Sequence, residues 1–155
     1  MSAEARLAEL GITLPEAGKP LGTYIPVRIA GGMAHVSGQG PSRPDGNGAV
    51  TGKVPSERTV EEAVEAARFC GLQALAQLRK ALGSLDRIEC VVRTLGMVNA
   101  DPDFGAHPRV INGFADLMVD VFGEEAGHGA RSAVGMGSLP NGITVEVEVT
   151  VKLKD

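Results

Sequence analysis

The clearest pattern in the chain is a strict alternation of apolar and polar residues over positions 143–153. Valine, isoleucine or leucine occupies every second position, and threonine, glutamate or lysine fills the positions between them. Side chains of a strand alternate between two faces, so this period of two predicts a strand with one face in the core. The other face carries carboxylates and hydroxyls, among them Glu146 and Glu148.

Two longer segments have the period of a helix. Thr59 and Glu62 form a capping box, and apolar or small residues recur at helical spacing until Gly83 ends the segment. A second helix is predicted from a first turn containing Pro108 to Gly123. Its apolar stripe consists of Val110, Phe114, Leu117 and Val121.

Shorter patterns complete the predicted order β-β-α-β-α-β-β. Apolar, β-branched-rich runs predict further strands at 24–29, 33–38, 88–98 and 131–136. The segments 41–55 and 124–130 are predicted loops, and "LPNG" is a predicted turn. The fold class is therefore α+β, with two helices on one face of a mostly antiparallel sheet.

The chain is predicted to form one domain, 1–155, in which 1–18 is an N-terminal extension with a short helix ending at Gly11. No element remains to cover the second face of the sheet. Met33 and Val36 would lie on opposite faces of one strand, so apolar surface would be exposed there. We expect another subunit to cover it.

Composition narrows the function classes. The net charge of −4, 3% aromatic residues and absence of tryptophan argue against nucleic-acid binding. The N-terminus lacks the apolar segment of a secretory signal, and no apolar run is long enough to span a membrane, so a cytoplasmic protein is expected. Cys70 and Cys90 are expected to be reduced thiols. The three histidines are scattered and predict no metal site; they are His35, His107 and His128.

Arg131 stands among glycines, alanines and one serine at the start of a predicted strand. It could be a surface residue in a modest ion pair. It could equally bind a ligand carboxylate, because a guanidinium matches a carboxylate bidentately. If the last two strands paired around "LPNG", Arg131 and Glu146 would be apart within one chain and could meet only between subunits.

The motifs "GTYIP", "HVSGQGP", "VINGF", "ARSAVGMGSLPNG" and "VEVEVTV" occur in this order over residues 20–153. Together they resemble the Rid (reactive intermediate deaminase) family, also called the YjgF or L-PSP endoribonuclease-like proteins. The branch with a longer loop after the second strand is most similar. The resemblance implies a chorismate-mutase-like fold and a homotrimer with a barrel-like centre and clefts between subunits.

The same resemblance implies site residues. Arg131 would hold the substrate carboxylate and Glu146 would position a water, with Tyr24, Ser37 and Asn112 lining the cleft. Each has a structural alternative: Ser37 as a backbone-bonded hydroxyl, Tyr24 as core, Asn112 as a helix cap and Glu146 as a solvated side chain.

The chain departs from the common family pattern at two positions. Ala133 stands where many members have a cysteine, and Gly135 where they often have a glutamate. Both changes should widen the substrate-binding cleft at Ala133.

The implied reaction is hydrolysis of 2-imino acids, or their enamines, to 2-keto acids and ammonia without a cofactor, because the imine is already electrophilic. The alternatives are a non-catalytic trimer that binds a small carboxylate and, from an older family label, an endoribonuclease or translation inhibitor.

Overall fold

A computed structural model describes residues 1–155 and contains five strands and four α-helices. The strands are β1 (Val27–Ala30), β2 (Met33–Gln39), β3 (Ile88–Asn99), β4 (Ala130–Met136) and β5 (Val145–Leu153). The helices are α1 (Ala3–Glu9), α2 (Val60–Leu82), α3 (His107–Phe122) and α4 (Glu124–Gly127). The predicted α+β class is confirmed. The segment 124–130 was wrongly predicted as entirely loop, because one turn of helix is too short to show periodicity.

The sheet has the strand order β1-β2-β5-β3-β4, which places β5 at its centre. The pairs β1–β2, β2–β5 and β3–β5 are antiparallel, and β3–β4 is parallel. Pairing of the last two strands around "LPNG" is therefore wrong: β4 pairs with β3 alone, and β3 separates it from β5. Parallel strands need a long crossover connection, and α3 with α4 supplies it.

Helices α2 and α3 cover one face of the sheet and approach each other closely. The Thr59–Glu62 capping box begins α2, and Gly83 ends it in the left-handed conformation. A methyl group on Gly113 of α3 would overlap the carbonyl oxygen of Val64 in α2. One on Gly71 of α2 would lie 2.7 Å from Leu117. The absence of side chains at both glycines allows the two backbones to pack this tightly.

The short helix α1 is fixed to the ends of other elements by one carboxylate. Glu4 accepts hydrogen bonds from the Arg79 guanidinium and, at 2.9 Å, from the backbone N–H of Leu85. Arg6 donates to the carbonyl of Asp120 at 2.9 Å. The chain after α1 then runs to Gly18, whose carbonyl accepts from Gln77 of α2 at 2.8 Å.

The second face of the sheet is open in this chain. It carries mixed charge, including the exposed Arg28, His35, Arg93 and Glu148, and the exposed apolar Val134 at its β4 edge. No helix of the structure is both long and apolar enough to cross a membrane.

Replacing Gly113 by alanine should destabilise the fold. Alanine in place of glycine inside a helix ordinarily stabilises it by up to about 1 kcal/mol. Here the added methyl meets a backbone oxygen, and overpacking of this kind costs about 1–3 kcal/mol. Thermal unfolding should show a lower Tm, by about 2–4 °C per kcal/mol for a chain of this size.

The matched control for Gly113 is Gly105→Ala. Gly105 has no heavy atom within 4 Å of the position a methyl would take. Its Tm should stay close to the parent value. An equal or higher Tm for Gly113→Ala would contradict the close packing of α2 on α3.

Candidate active site

Glu146 lies in the wall of a cleft of about 600 Å³, which we call the glutamate cleft. Its other walls come from the segment 18–26, the end of β2, one side of α2 and the turn 140–143. The register of β2 against β5 is interrupted between Val36 and Gln39, at this cleft. The volume lies within the range of small-molecule sites.

Glu146 is half-buried in this cleft and forms no hydrogen bond or ion pair with the protein. Burial raises the pKa of its carboxyl above the ordinary value, and the negative charge of Glu148 raises it further. A methyl group on Gly38 would overlap the Glu146 carboxylate, so the glycine of the S-G-Q motif leaves the space that this carboxylate occupies. The result is a free carboxyl group with an increased affinity for a proton.

Tyr24 and Ser37 also line the glutamate cleft. Tyr24 is 47% exposed, so it does not belong to the core, and its hydroxyl oxygen accepts from the Leu21 N–H at 3.4 Å. The Ser37 hydroxyl donates to the carbonyl of Pro26 at 3.3 Å. Its proton is thus used by the backbone, while its lone pairs remain available to accept from a ligand.

Arg131 and Asn112 lie together in a second, smaller pocket of about 250 Å³, which we call the arginine pocket. Arg131 donates from Nη1 to Asn112 Oδ1 at 2.8 Å and takes part in none of the five ion pairs of the structure. Asn112 lies well inside α3 and does not cap it; the N-cap position is Ala106. The hydrogen bond therefore fixes one nitrogen of a guanidinium that has no carboxylate partner.

One copy of the chain keeps the two pockets apart. Arg131 pairs with Thr94 of β3, whereas Glu146 pairs with Met97 three positions further along the same strand. A strand spacing of about 4.8 Å and a rise of about 3.3 Å per residue put their Cα atoms roughly 14 Å apart. Glu146 also alternates with the buried Val145 and Val147, while Arg131 faces α3.

Ala133 follows Arg131 on the same face of β4, and its side chain packs against the core. A methyl group on Gly135 would lie 2.6 Å from His107 Nε2. The His107 ring contacts Phe104 edge-on, with the ring centroids 5.0 Å apart. The histidine thus occupies the space beside β4 that a side chain at position 135 would need.

The glutamate cleft is also lined by three glutamines that were not predicted as site residues from the sequence: Gln39, Gln73 and Gln77. Gln73 and Gln77 are four positions apart in sequence and therefore lie on the same side of α2. There they interrupt an otherwise apolar segment of the helix. These three are all the glutamines of the chain, a fact that the sequence alone could have drawn attention to. No group of three or more histidine, cysteine, aspartate or glutamate side chains is placed to hold a metal ion.

This fold, together with the ordered motifs on β2, β4 and β5, defines a known class. The family model described as "YjgF/chorismate_mutase-like, putative endoribonuclease" matches residues 4–143, and the chain belongs to this family.

Particular relatives extend the match over almost the whole chain. Protein TCP17 of Trypanosoma cruzi is 44% identical over 151 residues, which are 97% of this chain and 94% of that protein. The crystal structure of Atu1372 from Agrobacterium tumefaciens, a protein of unknown function, is 40% identical with a TM-score of 0.87, over 98% of this chain and 94% of that one. A "putative endoribonuclease" from Shewanella oneidensis is 33% identical with a TM-score of 0.92, over 99% and 100% of the two chains.

Replacing Glu148 by glutamine should lower the pKa of Glu146 without returning it to the ordinary value. The substitution removes the negative charge, which is the smaller cause of the shift, and leaves the burial. Titration of the Glu146 side-chain carboxyl carbon by NMR measures the midpoint directly.

Glu89→Gln is the control for this titration, because Glu89 lies on β3 and pairs with Lys152 at 2.9 Å. It should leave the Glu146 midpoint unchanged. A Glu146 midpoint that does not move in Glu148→Gln would show that Glu148 has no influence on it.

Proposed function

We propose that the protein hydrolyses 2-imino acids to 2-keto acids and ammonia, in sites formed between the copies of a homotrimer. The observation that carries this proposal is Arg131: a guanidinium held by Asn112 that lines a pocket and forms no ion pair, not even with Asp116 of the same pocket. Membership of the YjgF family and the free carboxyl of Glu146 support it.

Arg131 would bind the substrate carboxylate. Its Nη1 is oriented by Asn112, so the remaining N–H groups are presented in a defined direction. A planar guanidinium can donate two parallel hydrogen bonds to a carboxylate. This contact orients the substrate, so that water attacks a carbon whose position is already fixed and less entropy is lost in the reaction.

Glu146 would act on the water. A carboxylate whose pKa is raised is a stronger base and can take a proton from a water at the imine carbon. The water oxygen forms a bond to that carbon, and the proton taken by Glu146 is passed to the imine nitrogen, which gives a carbinolamine. Glu146 then takes the hydroxyl proton and passes it to the amino group, so that the C–N bond breaks, ammonia leaves and the C=O bond of the keto acid forms.

A homotrimer would supply both groups to one substrate. The carboxylate carbon and the imine carbon of a 2-imino acid are directly bonded, so the groups that act on them must lie on either side of one small molecule. The separation of Arg131 and Glu146 within one copy is too large for this. Head-to-tail contacts that close into a ring would bring Arg131 of one copy to Glu146 of the next at every interface.

RNA cleavage, which the family description suggests, has less support in this chain. The only cationic side chain in the walls of the glutamate cleft is Lys19, and the same walls contain the acidic side chain of Glu146. Binding of a phosphate backbone depends on several lysines or arginines along its path.

Arg131→Lys should lose nearly as much activity as Arg131→Ala. Lysine keeps the charge but loses the planar, bidentate geometry. We expect a loss of about 2–5 kcal/mol of transition-state stabilisation, the range for truncating one partner of a hydrogen-bonded charge pair. The measurement is the rate of loss of an imine produced in situ by an amino-acid oxidase.

The control for Arg131 is Arg109→Ala, which removes an exposed ion pair with Glu61 and should leave the rate unchanged. A parent-like rate for Arg131→Lys would rule out bidentate binding. If the parent protein binds a keto acid in calorimetry but gives no acceleration over buffer, the protein is a binding trimer and the proposed hydrolysis is wrong.

Mixing two inactive variants tests the shared site. Arg131→Ala and Glu146→Ala copies, unfolded and refolded together in equal amounts, should recover about one quarter of the parent activity, because an intact site takes each group from the other variant. Each variant refolded alone should stay inactive, and light scattering should give the mass of a trimer throughout. No recovery in mixed trimers would mean that both groups act within one copy.

A further inference from the structure

The glutamate cleft has a feature that the imine chemistry does not use: all three glutamines of the chain line it. Gln39 and Gln73 are each 9% exposed and Gln77 is 6% exposed. Glutamine is mostly a surface residue, and a buried amide is costly unless it is hydrogen-bonded. The presence of three nearly buried amides at one cleft therefore suggests that they bind a ligand.

The hydrogen bonds of two of these amides fix their orientation. Gln39 Nε2 donates to the carbonyl of Ser37 at 3.0 Å, and Gln77 Nε2 donates to the carbonyl of Gly18 at 2.8 Å. A carbonyl oxygen can only accept, so the amide nitrogens must be the atoms that face these carbonyls. The Oε1 atoms of Gln39 and Gln77 are left without a donor from the protein.

Gln73 has no hydrogen bond to the protein at either end of its amide. Every fully buried polar side-chain atom of the structure has a partner. The amide of Gln73, although the residue is nine-tenths buried, must therefore reach the open volume of the cleft. The same holds for the two free oxygens of Gln39 and Gln77.

The charges in the cleft restrict what these amides can bind. The groups left free in the cleft include three amide oxygens, those of Gln39, Gln73 and Gln77, the Glu146 carboxylate and, as a donor, the amide nitrogen of Gln73. Such a set repels an anionic group. Lys19 in the same wall disfavours a cation. A neutral group with an N–H or O–H donor fits, and a carboxamide fits best because it can exchange two hydrogen bonds with the amide of Gln73.

We infer that the glutamate cleft selects substrates with a neutral, hydrogen-bond-donating side chain, a carboxamide or a hydroxyl, over aliphatic ones, and that Gln73 is the residue that determines this preference. The inference rests on the proposed function for the reacting group. The cleft volume of about 600 Å³ leaves room for such a side chain beside the reacting carbon. A site built to hydrogen-bond a donor discriminates strongly against an analogue that lacks it, because its own polar groups are then left unpaired.

The test compares imines generated in situ from asparagine and leucine, which have nearly the same shape. The parent protein should hydrolyse the asparagine-derived imine with the higher kcat/KM. Gln73→Met keeps the length of the side chain and removes its hydrogen bonds. It should lower kcat/KM for the asparagine-derived imine by about tenfold to a hundredfold and leave the leucine-derived imine unchanged or improved.

Lys80→Met is the matched control, since Lys80 is exposed on the same helix and outside the cleft. It should alter neither rate, and the Tm of Gln73→Met should confirm that the variant is folded. No preference in the parent, or an equal effect of Gln73→Met on both imines, would overturn the inference.

A binding measurement separates this inference from the proposed function. If neither imine is hydrolysed, the proposed function is wrong, and the selectivity is then decided by calorimetry with the 2-keto acids of asparagine and leucine. Tighter binding of the amide-bearing keto acid, lost in Gln73→Met, would uphold the selectivity of the cleft. Equal affinities would overturn it.

Discussion

The register of β5 is the constraint on which the rest of the molecule depends. Its five apolar residues lie in the core on the side covered by α2, and its glutamates, threonine and lysine face the other side of the sheet. As the central strand it also aligns β2 on one side and β3 on the other. A shift by one residue would move every side chain of the strand to the opposite face, placing Glu146 in the core and its valines on the open face. The core and the position of the acid are therefore set together.

The parallel pairing of β4 with β3 places Arg131 on the side of the sheet opposite to Glu146. As the edge strand, β4 has only one neighbour, and α3 crosses over the sheet to reach it. The crossover carries Asn112 to Arg131, so the arginine is oriented on the side of the sheet that the helices cover. The acid and the arginine belong to different strands, separated by β3. The topology itself keeps these two residues apart within one copy.

Local patterns in the sequence were sufficient for most of the elements, but not for the single turn of α4 or for the pairing of the strands. The capping box at Thr59, the stop at Gly83 and the alternation of β5 are all encoded within a few residues, so their positions could be predicted. The partner of β4 could not, because a short strand has the same pattern whichever neighbour it pairs with. The motifs indicated Arg131 and Glu146 as site residues. The buried glutamines of α2 interrupt an apolar segment, and the sequence alone does not show that a cleft lies beside them.

The contacts of the N-terminal extension could not be predicted from its local sequence pattern. In the sequence it is a short helix followed by a stretch rich in proline and glycine. In the structure, the Glu4 carboxylate ties its helix to Arg79 and Leu85, and Gln77 holds the carbonyl of Gly18. Both ends of the segment are therefore fixed to α2 or the turn that follows it. The residues after Gly18 can then form a wall of the glutamate cleft, although 18–26 contain no helix and strand β1 begins only at Val27. The same helix that builds the core thus also determines where the cleft is closed.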